Sequence, residues 1–569
     1  MSNRLGAAAS LAAGYAGFVI LARTAGSDQI PPGSWPIGLV LAVAVLAFWM
    51  RVSWNEPGRV PIGLFLLGAA GWTLALSTLV HLLGYVLLPV DLLSFAESGF
   101  ITDIIEFRSG QPLFTPPQDN SAIVYTPGAP ILTYLIARLF GGGDSIPFLR
   151  SVQFGYVVLA AMVATSALGM LTRILSAAPG LGPMWRWAAA PFLFLVATDP
   201  RFNLYVPSLH NDGLALLVSI SCYWLMLRYC LKPRRWVLAA MGIVPALGFL
   251  VKQNQVMWAG LFLVFLAVSG LASRRELGWY LAGAGVAVAA VVGWCWFGWG
   301  PDFQWWVFTG LGAKSPSPVR MVQHLFQAGL YLGMGAVAGW AFVLQGGSRV
   351  ALALWTVWVL LCGIQIWTSG YAWVVNHLGA GVLIAACWFF VWLVRIWPQF
   401  STAGQQVFAA ITVVVVLGSL GFDRDPRNPV PPDFDRYMAD ISQELGGSMR
   451  DVLMDWGSWP YMRENIVMKD RALSVAVHAG DNQREVNHAM LAATIGRIER
   501  KTYRKILVRN YETSDNFYDF NRRGTGVRQA MEAHYRVARR IPGVRGINQW
   551  WPIHLVQEVT VLVPREAVR

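Results

Sequence analysis

Long apolar runs recur through the first 421 residues and then stop. They begin near Leu5, Pro36, Pro61, Pro127, Ser151, Gly213, Trp236, Gln255, Gly278, Met321, Val350, Leu378 and Val407, and a shorter run spans Trp187 to Thr198. Each long run approaches the ~20 residues that carry a helix across a bilayer, so the pattern predicts an α-helical polytopic membrane protein with about 13 crossings. After Gly421 the pattern changes. An Asp- and Pro-rich linker, Asp423 to Asp435, leads into short segments that predict strands at Asp451–Asp455, Leu473–Val477, Lys505–Arg509 and Val559–Pro564. Helices are predicted at His488–Lys501 and Gly526–Ala538. That alternation reads as a small α/β soluble unit, dividing the chain into a membrane domain, 1–421, and an extramembrane domain, 422–569.

Composition sharpens the division. The chain is 55% hydrophobic and 13% charged, against roughly 25% charged in soluble proteins, and its mean hydropathy is +0.48. Yet 23 Lys+Arg and 19 Asp+Glu lie in residues 422–569, more than half of the chain's 44 and 31. The net charge of +13 contains no Lys/Arg run of the kind that grips phosphate backbones, so a nucleic-acid partner is excluded. All five cysteines sit in or beside apolar runs and none in the tail, which indicates neither a disulfide framework nor a Cys-based metal site. The apolar stretch from Leu5 to Ala22 behind Arg4 reads as the first membrane helix rather than a cleaved leader.

Loop charges predict orientation by the positive-inside rule. Arg51, Arg59, Arg138, Arg150, Arg228, Lys232, Arg274, Arg275, Arg349 and Arg395 go to the cytoplasm with the N-terminus. Residues 91–126, 199–212, the turn at Lys252, 301–320, 369–377 and the C-terminal domain then lie outside. Parity fails once: an odd number of crossings must separate Arg150 from Asp212, yet two apolar runs occur there, with Arg173 and Arg186 between them.

Every chemically interesting cluster falls on the predicted outer face. In the loop 91–126 an amphipathic interfacial helix is expected, with Leu92, Phe95, Phe100, Ile104 and Phe107 toward lipid and Gly110 ending it. Glu97, at the membrane boundary, is placed where low dielectric raises a carboxylate's proton affinity toward that of a general base. Asp103 is a second candidate acid, on another helical face. His210-Asn211-Asp212 opens an apolar run; a helix cap accounts for one of these residues but not for three. Lys252-Gln253-Asn254 interrupts a stretch about twice a bilayer span. It forms the turn of a helical hairpin, where a snorkelling lysine competes with one that meets an anion. Asn376-His377 opens a later run behind the interfacial aromatics Tyr371 and Trp373.

Taken together, Glu97, Gly110-Gln-Pro-Leu-Phe114, Tyr125-Thr-Pro127, Asn211-Asp212-Gly213, Lys252-Gln253-Asn254 and Asn376-His377 resemble membrane glycosyltransferases of the GT-C superfamily. The likeness is to bacterial mannosyltransferase-like members that use polyprenyl-phosphate-linked sugars, and it extends from about Pro61 to Arg540. In the tail it rests on Val452-Leu-Met-Asp455, Met490 to Arg500, Tyr503 to Val508 and Ala533 to Val537. The resemblance implies a sugar donor on polyprenyl phosphate and a glycan, lipid or protein acceptor, at the outer face of the bacterial cytoplasmic membrane. It makes Glu97 the base, has Lys252 neutralise the leaving phosphate, and assigns His210, Asn211 and Asp212 to sugar or metal. A single carboxylate stands at Ala96-Glu97 where such proteins carry an acidic pair, so the metal ligands are unassigned and a divalent cation is the one cofactor left open. A transporter or lipid flippase, or a non-catalytic GT-C-like subunit, are the alternatives. No sequence repeat or midplane charge favours a transporter.

Overall fold

The computed structural model describes residues 62–91, 95–119, 125–176, 184–203, 205–309, 316–346, 348–371, 375–399, 433–454, 457–467, 470, 484–509, 511–512, 526–544 and 558–566. The expected runs at Leu5, Pro36 and Val407 and the expected strand at Leu473 lie outside these residues.

Among the described residues the membrane domain is helical: α1 (Ile62–Val86), α2 (Phe95–Ser109), α3 (Gly128–Leu139), α4 (Ile146–Ile174), α5 (Met184–Ala197), α6 (Asp212–Leu231), α7 (Arg235–Val251), α8 (Met257–Ser269), α9 (Arg274–Gly298), α10 (Pro318–Gly346), α11 (Arg349–Ser369) and α12 (Gly379–Ile396). Six of the described helices are long and apolar enough to cross a bilayer, at 146–174, 212–231, 274–298, 318–346, 349–369 and 376–396. That is fewer than the 13 apolar runs suggest. Several runs fold into shorter helices, because Pro127, the turn at Lys252 and the loop at 198–211 cut them below a full span.

The run beginning at Pro127 corrects the topology. At 12 residues, α3 rises about 18 Å, too little to span. Both its ends stay at one end of the bundle, here called the upper end. Thr126 donates to the Phe249 carbonyl at 2.7 Å beside the α7 terminus, and the loop after α3 holds Asp144, paired with Arg108 of α2. Helix α4 therefore starts at the upper end and α5 returns to it, with Arg186 packed against Gly169 at the far end. Parity between Arg150 and Asp212 is restored, and Arg150 stands on the same side as Asp212 rather than opposite it. Its charge misled the orientation rule because it is neutralised internally.

A second correction concerns α2. Phe100 and Ile104, expected to face lipid, are buried together with Ile101 and Ile105, while Phe107 is exposed; Leu92 lies outside the described residues. The helix packs instead against the segment 457–464 of the C-terminal domain. Gly110, at φ +68°, does end it, since that backbone region is nearly free of cost only for glycine.

Among its described residues the extramembrane domain forms a four-stranded sheet in the order β1-β2-β4-β3, with β1 (Val452–Met454) parallel to β2 (Lys505–Arg509) and the other pairs antiparallel, β4 (Val559–Pro564) lying between β2 and β3 (Tyr535–Ile541). Helices α13 (Phe434–Leu445), α14 (Trp459–Glu464), α15 (Arg484–Glu499) and α16 (Val527–His534) accompany it. The helix expected to Ala538 stops at His534. Tyr535-Arg-Val-Ala-Arg-Arg-Ile541 is the edge strand, bulged between Val537 and Arg539, and its arginines blunt the open edge as edge strands require.

The two domains meet through polar groups, those around Asp91 buried. Asp91 accepts from the backbone N–H groups of Ser458 (2.6 Å) and Trp459 (3.0 Å) at the start of α14, and from Ser98 Oγ at 3.0 Å. Ser98 Oγ in turn accepts from Gly457 N at 2.7 Å. A second tie runs from Arg108 to Asn465 Oδ1 (2.6 Å) and the Met462 carbonyl. At the third, Asp470 N donates to the Asp119 carbonyl at 3.0 Å.

Candidate functional site

Helix α4 brings a charge and an amide into the apolar bundle. Arg150 donates through Nε to Glu97 Oε1 (2.7 Å) and through Nη2 to Oε2 (2.8 Å). Its remaining N–H groups reach the carbonyls of Tyr85 (3.2 Å), Leu88 (2.6 Å) and Val90 (2.6 Å), where α1 ends. Both side chains are fully buried. Burial raises the proton affinity of Glu97, and the Arg150 guanidinium opposes that rise. The carboxylate also accepts from Leu209 N at 2.8 Å, which fixes the loop leading into the polar triplet 210–212. One turn along α4, Gln153 donates to the His210 carbonyl.

The triplet converges on Asp212. Its Oδ1 receives Lys252 Nζ at 2.7 Å, while Oδ2 lies 3.1 Å from His210 Nδ1 and accepts from Asn376 Nδ2. Helix α7 ends at Val251 and Lys252 is extended (φ −158°, ψ 126°) before a short 3-10 turn, Gln253–Val256. The break thus delivers the ammonium to the start of α6. Asn211 seals the junction by donating to the Val251 carbonyl at 3.1 Å. The His210 ring stacks on Tyr205 with centroids 4.0 Å apart, and Tyr125 lies edge-on to it at 5.8 Å. Lys252 Nζ sits 5.4 Å above the Tyr125 ring, a cation–π contact that helps to hold the ammonium out of water.

The structure therefore gathers His210, Asn211, Asp212, Lys252 and Asn376 from three stretches of chain. Of these, Asp212, Lys252 and Asn376 line a polar hollow together with His377 and Asn254, whereas His210 and Asn211 stand outside its wall. Gln253 is in the turn but not in the lining. Glu97 adjoins the cluster through Leu209, with both its oxygens held by Arg150. Asp103 is buried in the middle of α2, two turns further along.

Reasoning from the sequence missed Arg150, Gln153, Asn203 and Gln365. An arginine and a glutamine within one turn of an apolar span was the available signal, since such groups are buried only with partners; Asn203 and Gln365 gave none. Among the described residues no group of three or more His, Cys, Asp or Glu side chains is poised for a metal ion. Both oxygens of Asp212 are already engaged by Lys252, His210 and Asn376, a donor arrangement that suits a divalent cation poorly. No family model, curated protein or solved structure matches the chain.

Proposed function

We propose that this chain is an integral membrane glycosyltransferase that moves a sugar from a polyprenyl-phosphate donor to a hydroxyl of a glycan, lipid or protein acceptor, at the outer face of the bacterial cytoplasmic membrane. Lys252 and Asp212 carry the proposal: a buried ammonium and carboxylate, joined by His210 and Asn376, meet at one end of an apolar bundle. A lipid-borne phosphate lies at that depth.

Chemistry follows from the geometry. The acceptor oxygen attacks the anomeric carbon as the carbon–oxygen bond to phosphate breaks, and the bonding pair leaves with the phosphate. Lys252 stabilises the charge that grows on the departing group. Asp212 orients His210, which takes the acceptor proton. Glu97 is in this scheme a positioning residue, because Arg150 occupies both of its oxygens and its third partner is the backbone that carries His210. A transporter or flippase would call for ionisable groups near the middle of the bundle, whereas these stand at helix ends.

The test is release of polyprenyl phosphate by the purified protein in nanodiscs, over a panel of polyprenyl-phosphate sugars. Release is expected with at least one donor, falling by about 10²-fold or more in Lys252→Ala and Asp212→Asn. No release from any donor would point to a non-catalytic subunit, and vectorial movement of lipid without release to a flippase.

A further inference from the structure

The hollow beside Asp212 reaches two turns into the bundle, as far as Ser219 on α6. Its volume is about 30 Å³, room for about two water-sized groups. Its walls carry side-chain amides that the transfer chemistry above does not use.

Two of these amides are oriented by glycines. Gln365 Oε1 accepts from the Gly381 backbone N–H at 3.0 Å, and a Cβ at Gly381 would come within 2.6 Å of that oxygen. Asn203 Oδ1 presses in the same way on Gly379, where a Cβ would not fit. Both amide oxygens thus turn against the first turn of α12. With its oxygen so engaged, Gln365 has its NH₂ to offer the hollow it lines, and the buried Asn203 Nδ2 has no hydrogen-bond partner. Asn376 spends its Nδ2 on Asp212, and its Oδ1 is also without a partner. These three amides accordingly offer the hollow two neutral donors and one neutral acceptor, beside the unpartnered Nδ1 of His377.

Few ligands match that set. A cation would want the amide oxygens, two of which face α12. A phosphate beyond Lys252 would meet neutral amides and no second Lys or Arg in the lining, and an apolar group would leave buried amides unsatisfied. A hydroxyl both donates and accepts, and a pair of them has the right size.

We propose that the hollow receives two hydroxyl groups of the transferred sugar, with Asn203 and Gln365 donating and Asn376 accepting, so that these amides set sugar specificity. This rests on the glycosyl-transfer proposal and names its specificity pocket.

Calorimetry with the full-length protein in nanodiscs tests it, using citronellyl phosphate alone and citronellyl phosphate carrying each of a panel of hexoses and pentoses. At least one sugar should improve binding over the bare lipid phosphate by about tenfold or more, the scale of satisfying buried polar groups. Asn203→Ala and Gln365→Ala should abolish that gain while leaving affinity for bare citronellyl phosphate unchanged, which also shows that the variants fold. Should either alanine variant lose both, Asn203→Leu or Gln365→Met, each of which nearly keeps the size and removes the donor without adding charge, takes its place with the same expectation. Deoxy forms of the preferred sugar should bind the unaltered protein no better than bare phosphate. The inference is overturned if no sugar improves binding, or if the gain survives in the variants. Failure of bare citronellyl phosphate to bind at all overturns the glycosyl-transfer proposal itself, and the sugar pocket with it.

Discussion

Arg150 grips both oxygens of Glu97 with neither side chain exposed, and a buried pair of this kind cannot lose one member cheaply. Glu97→Gln should lower stability by about 3–5 kcal/mol, because it strands the guanidinium. The paired change Glu97→Gln with Arg150→Met should recover much of that loss. Thermal unfolding in detergent measures both. A Glu97→Gln protein of full stability and no activity would instead return the role of base to Glu97.

Asp212 and Lys252 should behave as a unit. Groups in one network are strongly non-additive. The double variant Asp212→Asn with Lys252→Ala is therefore expected to be no slower in polyprenyl-phosphate release than the worse single variant. Rates that multiply would show that the two act on separate steps.

The contact between Asp91 and α14 ties the extramembrane domain to α2. Asp91→Asn removes the charge that holds the N–H groups of Ser458 and Trp459. It should cost about 0.5–2 kcal/mol, the range for losing a helix cap. Hydrogen exchange should then rise together in residues 95–109 and 459–464. A rise confined to one of these segments would refute the coupling.

Acid should loosen the same domain from another side. Lys505 and, after it, Arg539 donate to Glu444 and hold its carboxyl below the usual carboxylate range. A depressed folded-state value adds stability above the ordinary glutamate range, and that stability is lost as pH falls through the folded-state value. Exchange protection of β2 and β3 should therefore decline on acidification, and Glu444→Gln should flatten the decline. An identical pH profile in the variant would remove Glu444 as the cause.

Much of this architecture was legible along the chain, and the reasons are local. Apolar runs of this length marked where helices form, since only a helix satisfies the backbone of an apolar segment within that segment. Gly110 ended α2, and Lys252 broke one apolar stretch into the hairpin of α7 and α8, because glycine geometry and a charge within an apolar run act on their immediate neighbours. The polar triplet 210–212 and Asn376 stood out as groups that an apolar stretch does not carry without cause. The first four residues of the edge strand, 535–538, were misread as the end of a helix because the strand's arginines answer to a sheet edge, not to any period in the sequence.

Only the tertiary structure could decide the partners. Arg150 counted as a topological charge until Glu97, 53 positions earlier, was seen to cancel it. The short helix α3 counted as a crossing until both its ends were found at one end of the bundle. Asn203 and Gln365 carried no signal at all, since an amide gains meaning only from what its oxygen and nitrogen face. Charge neutralisation and hydrogen-bond satisfaction are properties of groups brought together in space, whereas hydropathy and backbone preference belong to each residue in turn. The chain order accordingly determined the helices and the suspect polar positions, and folding determined which of those positions share a site.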